Sequence, residues 1–322
     1  MGDQRATLPA GALVVGIELG GTKIVVALGL GDGTVLAEER LPTLDPETTL
    51  AQAAATVREQ AALLGRGPLA AVGIAAFGPV ELRRTAPGWG RLVATPKQRW
   101  GGADVAGTLA RALGVPVALD TDVNAAALAE TLLGAARGCA TVAYLTVGTG
   151  IGGGVVADGR LLHGLPHPEI GHLSVPRLTG DTFAGCCPFH GDCLEGLAAG
   201  PALAARFGRP AEQLAGAEAE EAARIAAWYL AHGVRNVVYA LAPERIVLGG
   251  GVASLPGLVP RVREQLVVAL GGYPGLPEHA APGFVVAAAL GGRAGVVGAL
   301  LLAYFSAYPS YPAAATSSHF SR

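Results

Sequence analysis

A strand, glycine corner, strand pattern that occurs twice is the feature that most constrains how this chain can fold. Near the start, ALVVGIEL is followed by the corner GGTK and by IVVALGL; further on, ATVAYLTV is followed by GTGIGGG and GVVADGRLL. Apolar runs broken by glycine-rich turns are typical of antiparallel hairpins. Aligning Gly20 with Gly148 superposes the two units. We therefore predict a duplicated chain with one hairpin corner in each half.

The segments between the two units predict helices that alternate with strands. Asp45 and Pro46 mark the start of a helix and Gly65 marks its end. LAAVGIAAFG then indicates a buried strand, ADVAGTLARALG a helix and VPVALD another strand. This order predicts an α/β fold in which a mixed sheet carries helices on its faces. Because 322 residues exceed the ~250 to 300 residues of a single core, we expect two lobes with a cleft between them.

The second half is predicted to continue with helices between residues 211 and 241, the strand RIVLGGGV and a helix over residues 255–270. The stretch Phe284–Phe305 is strongly apolar, but two glycines and an arginine interrupt it. Since a bilayer requires about 20 apolar residues, we interpret residues 294–305 as a buried helix. The tail from Ser306 has no periodicity and is predicted to be disordered.

The composition excludes several classes of protein. Half of the residues (51%) are apolar, yet no membrane span is indicated and the start lacks the features of a secretory signal. We therefore expect a cytoplasmic protein. The net charge is −2 and the basic residues form no run, whereas nucleic-acid binding requires clustered Lys and Arg. Its partners are expected to be small molecules, with neither nucleic acid nor membrane among them.

Three glycine clusters, each after an apolar strand, are candidate phosphate-binding corners. Glycine lets backbone N–H groups approach a phosphate, and threonine hydroxyls add donors. Taken singly, each cluster is explained as well by an ordinary tight turn. The clusters comprise Gly20, Gly21, Thr22 and Lys23; Gly148, Thr149 and Gly150; and Gly249, Gly250 and Gly251.

The second cluster formally matches G-x-G-x-x-G, the fingerprint of dinucleotide-binding proteins. That fingerprint requires a helix to begin at the glycines, whereas the residues here indicate a strand, an Asp-Gly turn and a strand. A Walker P-loop sequence is absent. What remains is a pair of hairpin corners, one from each half. Facing each other across a cleft, they would hold a nucleoside triphosphate from both sides.

Four polar residues stand where an apolar strand meets a helix in ALDTDVNAAALAETLLGAARG. They are Asp120, Thr121, Asp122 and Asn124, and the helix is predicted to end at Gly138. Helix capping explains one Asp or Thr at such a position. Alternatively, an Asp at the end of a strand can accept a proton from a substrate hydroxyl, and the helix start would keep it ionised. The pattern leaves both interpretations open.

The loop CCPFHGDCLEGL contains a candidate metal site. Cys187, His190 and Cys193 form C-x-x-H-x-x-C, and His172 lies upstream in PEIGHLSV. Two thiolates and two imidazoles make a closed tetrahedral zinc site. A disulfide and an incidental surface cluster are the alternatives, and the expected cytoplasmic location argues against the disulfide. Cys186 is interpreted as a bystander.

Two carboxylates flank these candidate ligands, Glu169 before His172 and Glu195 after Cys193. A loop stapled by a metal would hold both carboxylates in place to accept hydrogen bonds from several hydroxyl groups, as recognition of a sugar requires. We therefore hypothesise that the loop positions acids that bind a polyol.

Together these motifs resemble the ROK family of bacterial sugar kinases and repressors, which has the two-lobed actin/hexokinase-like (ribonuclease H-like) α/β fold with a central cleft. The likeness extends from about Val14 to Ala303. GIELGGTK is similar to the family's first phosphate motif, DTDVNAAALAE to its catalytic stretch, LTVGTGIGGG to its second phosphate motif and RIVLGGGV to its nucleoside-side motif. PEIGH followed by cysteines is similar to its zinc and sugar segment.

The resemblance implies a domain organisation and a homodimer. Residues 1–120 would form an N-terminal lobe, completed by the helix at residues 294–305. Residues 121–293 would form a C-terminal lobe with the zinc loop, and residues 306–322 the tail.

The resemblance also implies that ATP, with Mg²⁺, phosphorylates the 6-hydroxyl of a hexose, in a protein that contains structural Zn²⁺. Asp122 would take the hydroxyl proton, and Glu18 would contribute to the magnesium shell. The first two glycine clusters would surround the triphosphate, and the third would lie near the nucleoside. The sugar would contact Asn124, Glu169, His172 and Glu195.

Departures from the glucokinase pattern favour the fructokinase branch of the family, and hence D-fructose as substrate. Glucokinases of the family usually have C-x-C-G-x-x-G-C, an Asp in the first motif and an Asn before the catalytic Asp. This chain has C-x-x-H-x-x-C, Glu18 and Thr121 instead. FGPVEL, ATPK and LLHGLPHPEIGH also resemble that branch. A glucokinase, mannokinase or N-acetylmannosamine kinase is the alternative within the family.

A sugar-responsive repressor is the alternative from another class. Repressors of the family carry a helix-turn-helix before the kinase-like part. The first strand is expected from about residue 13 here, so we expect no such motif. A kinase fold that binds sugar without turnover is disfavoured by Asp122 and by both phosphate corners.

Overall fold

The computed structural model describes residues 11–95, 97–165 and 167–307. The predicted disordered tail lies outside the described residues except for Ser306 and Ala307, which are helical, so its predicted start at Ser306 is wrong. The first half forms a five-stranded sheet in the order β3-β2-β1-β4-β5. Its strands are β1 (Leu13–Leu19), β2 (Lys23–Leu30), β3 (Val35–Pro42), β4 (Leu69–Ala76) and β5 (Val117–Thr121). β1, β2 and β3 are antiparallel, whereas β4 and β5 run parallel to β1.

The second half repeats this arrangement in the order β10-β9-β6-β7-β8. Its strands are β6 (Val142–Val147), β7 (Ile151–Ala157), β8 (Arg160–Leu161), β9 (Arg245–Gly249) and β10 (Val285–Ala287). β6, β7 and β8 are antiparallel, and β9 and β10 run parallel to β6. The duplication and the α/β class predicted from the sequence are confirmed.

Eight α-helices connect and cover these strands within the described residues. They are α1 (Pro46–Leu64), α2 (Val105–Leu113), α3 (Asp122–Leu132), α4 (Leu194–Ala198), α5 (Gly200–Phe207), α6 (Gly216–Leu241), α7 (Leu258–Leu270) and α8 (Ala294–Ala307). The predicted caps of α1 are confirmed: Asp45 accepts a hydrogen bond from Thr48 N, and Gly65 is left-handed with φ 60°. The sequence analysis did not predict α4, α5 or β10.

The prediction that α3 extends to Gly138 is wrong, because the helix ends at Leu132. The fully buried carboxylate of Glu130 accepts hydrogen bonds from Ala135 N at 2.7 Å and from Leu290 N at 2.8 Å. These bonds draw the chain out of the helical path into a turn. A capping interaction with a segment 160 residues away cannot be read from local helix propensity.

The two faces of the first sheet pack against different helices because side chains alternate along a strand. Leu13, Val15 and Ile17 of β1 face a core shared with α1 and α2. Gly16, from the alternate set, faces α8, and a Cβ there would lie 2.8 Å from Val296 O. The second sheet packs one face against α6 and α7 in the same way.

Helices α3 and α8 pack against each other between the two sheets, with α8 on β1 and β4 and α3 on β6 and β7. Glycine makes this close approach possible. A Cβ on Gly298 would lie 1.9 Å from Ala125 O, and one on Gly154 would lie 2.0 Å from Val123 O. Backbone contact of this kind fixes the start of α3 with respect to both sheets. The lobe boundaries implied by the resemblance stay a prediction.

Across the three described ranges, no helix combines the length and the apolar character needed to cross a membrane.

Candidate active site

A cleft of about 740 Å³ has walls from both halves of the chain. Gly21, in the corner between β1 and β2, lines it from the first half. Gly148, Thr149 and Gly150, in the corner between β6 and β7, line it from the second half. The structure thus brings two of the three predicted phosphate corners to one cleft.

The third glycine cluster follows β9 and lies beside the second. Gly250 has φ 88°, and a Cβ on it would lie 2.4 Å from Val147 O, so glycine is required at this position. A Cβ on Gly148 would lie 4.0 Å from Gly251 N, which makes the two corners neighbours. Gly250 also lines a second cavity of about 220 Å³, which Lys23 enters from the first corner.

Asp122 is the first residue of α3 and lines both the cleft and the second cavity. Its Oδ1 accepts a hydrogen bond from Val123 N at 2.9 Å. Thr121 caps the helix, because its Oγ1 accepts a hydrogen bond from Asn124 N at 3.1 Å. The two interpretations that the sequence left open therefore apply to different residues. Thr121 caps the helix, and Asp122 is available to a ligand.

Burial raises the pKa of Asp122 to about 6; hydrogen bonds from backbone N–H groups lower it less, and the charge of Glu169 raises it further. The carboxyl is ionised at neutral pH, as expected for a helix start, but the expectation that its pKa would not be raised is wrong. Desolvation of the carboxylate outweighs the N–H groups of the first turn. A carboxylate with a pKa near 6 is ionised at neutral pH and accepts a proton more readily than an exposed one.

Asn124 was predicted to contact the sugar, but it is fully buried and does not line the cleft. Its Nδ2 donates to Asp120 Oδ1 at 2.8 Å, and its Oδ1 accepts from Val155 N at 3.2 Å. Asp120 Oδ2 lies 2.7 Å from His163 Nε2, which raises the pKa of that histidine. Both ends of the Asn124 amide are therefore hydrogen-bonded, and the side chain connects α3 with β5 and β7.

Glu169 and Glu195 line the same cleft as Asp122. Glu195 Oε2 accepts a hydrogen bond from Ile151 N at 2.9 Å, directly after the second glycine corner. A Cβ on Gly150 would lie 2.6 Å from that oxygen. Burial and the charge of Glu195 raise the pKa of Glu169. A set of acceptor oxygens therefore converges where hydroxyl groups of a ligand would bind.

His172, Cys187, His190 and Cys193 form one compact cluster, as the sequence predicted. Their candidate ligand atoms all lie within 4.8 Å of one another. His172 Nδ1 is 3.7 Å from Cys187 Sγ and 3.5 Å from Cys193 Sγ. Cys186 is exposed and its Sγ contacts Gly196 O instead. The cluster can hold a metal ion, and Cys186 is outside it.

An ion pair between Asp181 and Arg206 connects the loop that carries this cluster to α5. Asp181 pairs with both terminal nitrogens of Arg206, at 2.8 and 2.7 Å, and Arg206 holds the pKa of Asp181 well below its usual range. The Arg206 guanidinium also lies 4.2 Å over the ring of Phe183. Cys193 is the residue before α4, and Glu195 lies in the first turn of that helix. The segment that carries the cluster therefore leads directly into the helix that carries Glu195.

Glu18, at the end of β1, lines the second cavity with Lys23 and Asp122. Burial raises the pKa of Glu18 to about 7, and repulsion by Asp122 contributes. A Cβ on Gly295 would lie 2.6 Å from Glu18 Cδ, so this carboxylate lies against the first turn of α8. A bound cation would stabilise the ionised form of a carboxyl whose pKa is raised by burial and by a second acid.

Sequence reasoning assigned no role to His167, which is buried and lines the cleft. The signal available was the triplet His-Pro-Glu, which places it two residues before the predicted sugar carboxylate Glu169. Val80 N donates a hydrogen bond to His167 Nε2, but Val80 is 87 residues away, so no sequence pattern could predict this contact.

Comparison with known proteins identifies related chains. A protein-family model described as "ROK family" matches residues 14–305. The chain is 44% identical over 288 residues to a protein from Zymomonas mobilis named fructokinase, a match that covers 89% of this chain and 95% of the relative.

Two solved structures extend the comparison to the fold. A structure described as ROK hexokinase from Thermus thermophilus matches with a TM-score of 0.74 and 35% identity, covering 91% of this chain and 98% of that one. A ROK family glucokinase from Streptomyces griseus, in complex with glucose and AMPPNP, matches with a TM-score of 0.71 and 26% identity, covering 91% and 99%.

Proposed function

The chain belongs to the ROK family, and from that premise we propose that it is an ATP-dependent kinase that phosphorylates the 6-hydroxyl of D-fructose. The observation that carries the proposal is the position of Asp122, whose carboxyl lines both the cleft and the second cavity. A phosphoryl-transfer site requires this arrangement, since the proton acceptor must stand where the acceptor hydroxyl meets the phosphate. The similarity to a protein named fructokinase supports the choice of sugar.

In this mechanism the sugar lies in the cleft with its hydroxyl groups on Glu169 and Glu195. The 6-hydroxyl oxygen attacks the γ-phosphorus of ATP while its proton passes to Asp122. A new O–P bond forms, the bond from the γ-phosphorus to the bridging oxygen breaks, and ADP leaves. Because phosphoryl transfer depends mainly on positioning and on charge stabilisation, a carboxylate with a pKa of about 6 is a sufficient base.

The nucleotide is assigned to the glycine corners and the second cavity. Gly21 and Gly148 line the cleft from different halves of the chain, and Lys23 and Gly250 line the second cavity. Backbone N–H groups of such corners donate to phosphate oxygens. Mg²⁺, when bound, neutralises charge on the phosphates. Glu18 is the carboxylate of this chain that would face it, because oxygen ligands suit that ion.

We further propose that the four-residue cluster holds structural zinc. Zn–S bonds near 2.3 Å and Zn–N bonds near 2.0 Å in a tetrahedron separate neighbouring S and N atoms by about 3.6 Å. The measured separations of 3.5 to 3.8 Å between sulfur and imidazole nitrogen fit that value. Four protein ligands complete the coordination, so the ion would hold the loop and leave the chemistry to Asp122.

The experiment that tests the function measures ADP release from ATP and Mg²⁺ with fructose, glucose, mannose and N-acetylmannosamine, and without sugar. We expect kcat/KM to be highest with fructose. Turnover mainly with an aldose would retain the kinase and reject the fructose assignment, in favour of the alternative that the glucokinase structure represents. Turnover with none of these sugars would reject the enzyme assignment. The homodimer and the cytoplasmic location stay predictions.

A further inference from the structure

His167 joins two walls of the cleft that are far apart in sequence. Its imidazole is 7% exposed and lies in the segment between β8 and the metal cluster. On one side, Val80 N lies 3.3 Å from His167 Nε2. On the other side, Nδ1 lies 3.4 Å from Glu169 Oε1. The ring also packs on Gly78, where a Cβ would lie only 2.9 Å from Cε1.

These contacts determine the tautomer of His167. A backbone N–H can only donate, so Nε2 must accept from Val80 and carries no proton. The proton of a neutral ring therefore resides on Nδ1, the atom that faces Glu169. Burial lowers the pKa of His167, which keeps the ring neutral, and a hydrogen bond to the backbone of Pro168 opposes this shift.

Glu169 needs such a donor. The Glu169 side chain is 43% exposed, and its partial burial together with the charge of Glu195 raises its pKa. Glu195 has its own anchor in Ile151 N at 2.9 Å. His167 Nδ1 lies 3.4 Å from Glu169 Oε1, and Ile151 N lies 2.9 Å from Glu195 Oε2, so the two carboxylates have separate polar neighbours. Their remaining lone pairs stay free for sugar hydroxyls. Without the His167 imidazole beside it, the Glu169 carboxylate would be free to rotate.

We propose that His167 is a positioning residue for the sugar, one that sets sugar affinity by orienting Glu169 and tying it to the Gly78–Val80 wall. This inference rests on the proposed function, because it takes the cleft to be the sugar site. His167 acts through Glu169 and through the wall, since both of its ring nitrogens already have partners. Phe77, Gly78 and Pro79 all line the cleft, so a shift of that wall changes the shape that the sugar meets.

Two substitutions separate the contact of His167 with Glu169 from its contact with Val80. In His167→Asn the side-chain N–H₂ takes the position of Nδ1 and keeps a donor for Glu169. In His167→Gln the carbonyl oxygen reaches the position of Nε2 and keeps an acceptor for Val80, whereas the donor to Glu169 is lost. A hydrogen bond to a charged group is worth about tenfold or more in binding. We therefore expect His167→Gln to raise the KM for fructose by about tenfold, His167→Asn by about threefold, and neither to change the KM for ATP.

The decisive measurement is a double-mutant cycle with Glu169→Gln. If His167 acts through the Glu169 carboxylate, His167→Gln should raise the KM for fructose by less than about twofold in the Glu169→Gln background. Equal effects in the two backgrounds would overturn the proposal, as would a parallel rise in the KM for ATP. His232→Asn is the matched control, because His232 is buried in α6 with Nδ1 donating to Trp228 O at 2.8 Å. It should lower the melting temperature and leave both KM values unchanged.

The failure of this inference is distinguishable from the failure of the proposed function. The rise in melting temperature on addition of each sugar is measured for the wild type and all variants, so the comparison uses whichever sugar binds best. A wild type that prefers another hexose corrects the substrate, and the cycle is then measured with that hexose. A wild type that no sugar stabilises overturns both proposals. Variants that bind the preferred sugar as the wild type does overturn only the role of His167.

Discussion

The two halves of the molecule have the same strand order and carry very different segments between equivalent strands. In the first half, β3 and β4 are joined through the single helix α1 (Pro46–Leu64). In the second half, β8 and β9 are separated by residues 162–244, which include the metal cluster, both cleft glutamates and α4 to α6. The repeated core supplies the two glycine corners, and the unequal connection supplies the residues proposed to bind the sugar.

The equivalent helices α3 and α8 also differ, in the residue with which each begins. Each follows the last strand of its sheet, and the two pack together between the sheets. α3 begins with Asp122, whereas α8 begins with Ala294. At the corresponding end of the first strand, Glu18 of β1 is matched by Thr146 of β6. The first half of the chain therefore provides two acids at these positions, Asp122 at the start of α3 and Glu18 in β1. The equivalent positions of the second half, Ala294 and Thr146, carry no acid.

The strongest test of this asymmetry is Asp122→Asn. We expect kcat to fall by about 10² to 10⁴, the usual contribution of a positioned acid or base, with the KM for sugar little changed. Asp158→Asn is the control, because it removes the same charge at an exposed turn between β7 and β8. Activity of Asp122→Asn within tenfold of the wild type would remove Asp122 from the proton-accepting role.

The same substitution should stabilise the protein. The pKa of Asp122 is raised in the folded state to about 6 from 3.8, so its ionised form opposes folding above that pH. At pH 8 we expect Asp122→Asn to raise the free energy of unfolding by about 1 to 3 kcal/mol. The gain should shrink as the pH falls from 6 towards 4 and disappear below 3.8, where the wild-type carboxyl is protonated in both states. Urea unfolding at pH 8 and pH 4 measures it.

Removing the proposed zinc should weaken sugar binding and leave nucleotide binding unchanged. Cys193→Ser is expected to abolish stoichiometric zinc, measured by mass spectrometry of the metal, and to raise the KM for fructose about tenfold or more, since α4 and Glu195 lose their anchor. Cys186→Ser, in the adjacent thiol outside the cluster, should retain both properties. Zinc retained in Cys193→Ser, or lost in Cys186→Ser, would contradict the ligand assignment.

The pH profile distinguishes the two acids that come from different elements. Because Asp122 must be ionised to accept a proton, kcat/KM should fall about tenfold per pH unit below its pKa of about 6. Glu18 has a pKa of about 7, so it would give a separate limb if it were the base. A limb near pH 6 that persists in Glu18→Gln assigns the titration to Asp122; a limb that vanishes in that variant assigns it to Glu18.

The smallest effect is expected at Glu18 itself. Glu18→Gln should raise the half-saturating concentration of Mg²⁺ by about three- to tenfold and leave the KM for fructose unchanged. Glu38→Gln is the matched control, because Glu38 lines the same cavity but already pairs with Arg40 at 3.1 Å and Arg293 at 3.2 Å. Equal Mg²⁺ dependence in the two variants would show that Glu18 has no special relation to the ion.

Patterns that depend on neighbouring residues were predictable from the sequence. The alternation of apolar runs with glycine corners gave the hairpins, and Asp45, Pro46 and Gly65 gave the limits of α1. The spacing of His172, Cys187, His190 and Cys193 predicted a cluster that the structure assembles. The short elements α4, α5 and β10 were missed, because their sequences carry no periodicity distinct from the surrounding loop.

The sequence by itself determined the duplication, the glycine corners and the set of candidate ligands, because backbone conformation and ligand type are properties of local stretches. Only the tertiary structure decided which polar residue does what. It buried Asn124, left Asp122 facing two cavities with a raised pKa, and brought His167 between Val80 and Glu169. Desolvation and contacts between distant segments govern these outcomes, and both exist only once the two sheets have packed around α3 and α8.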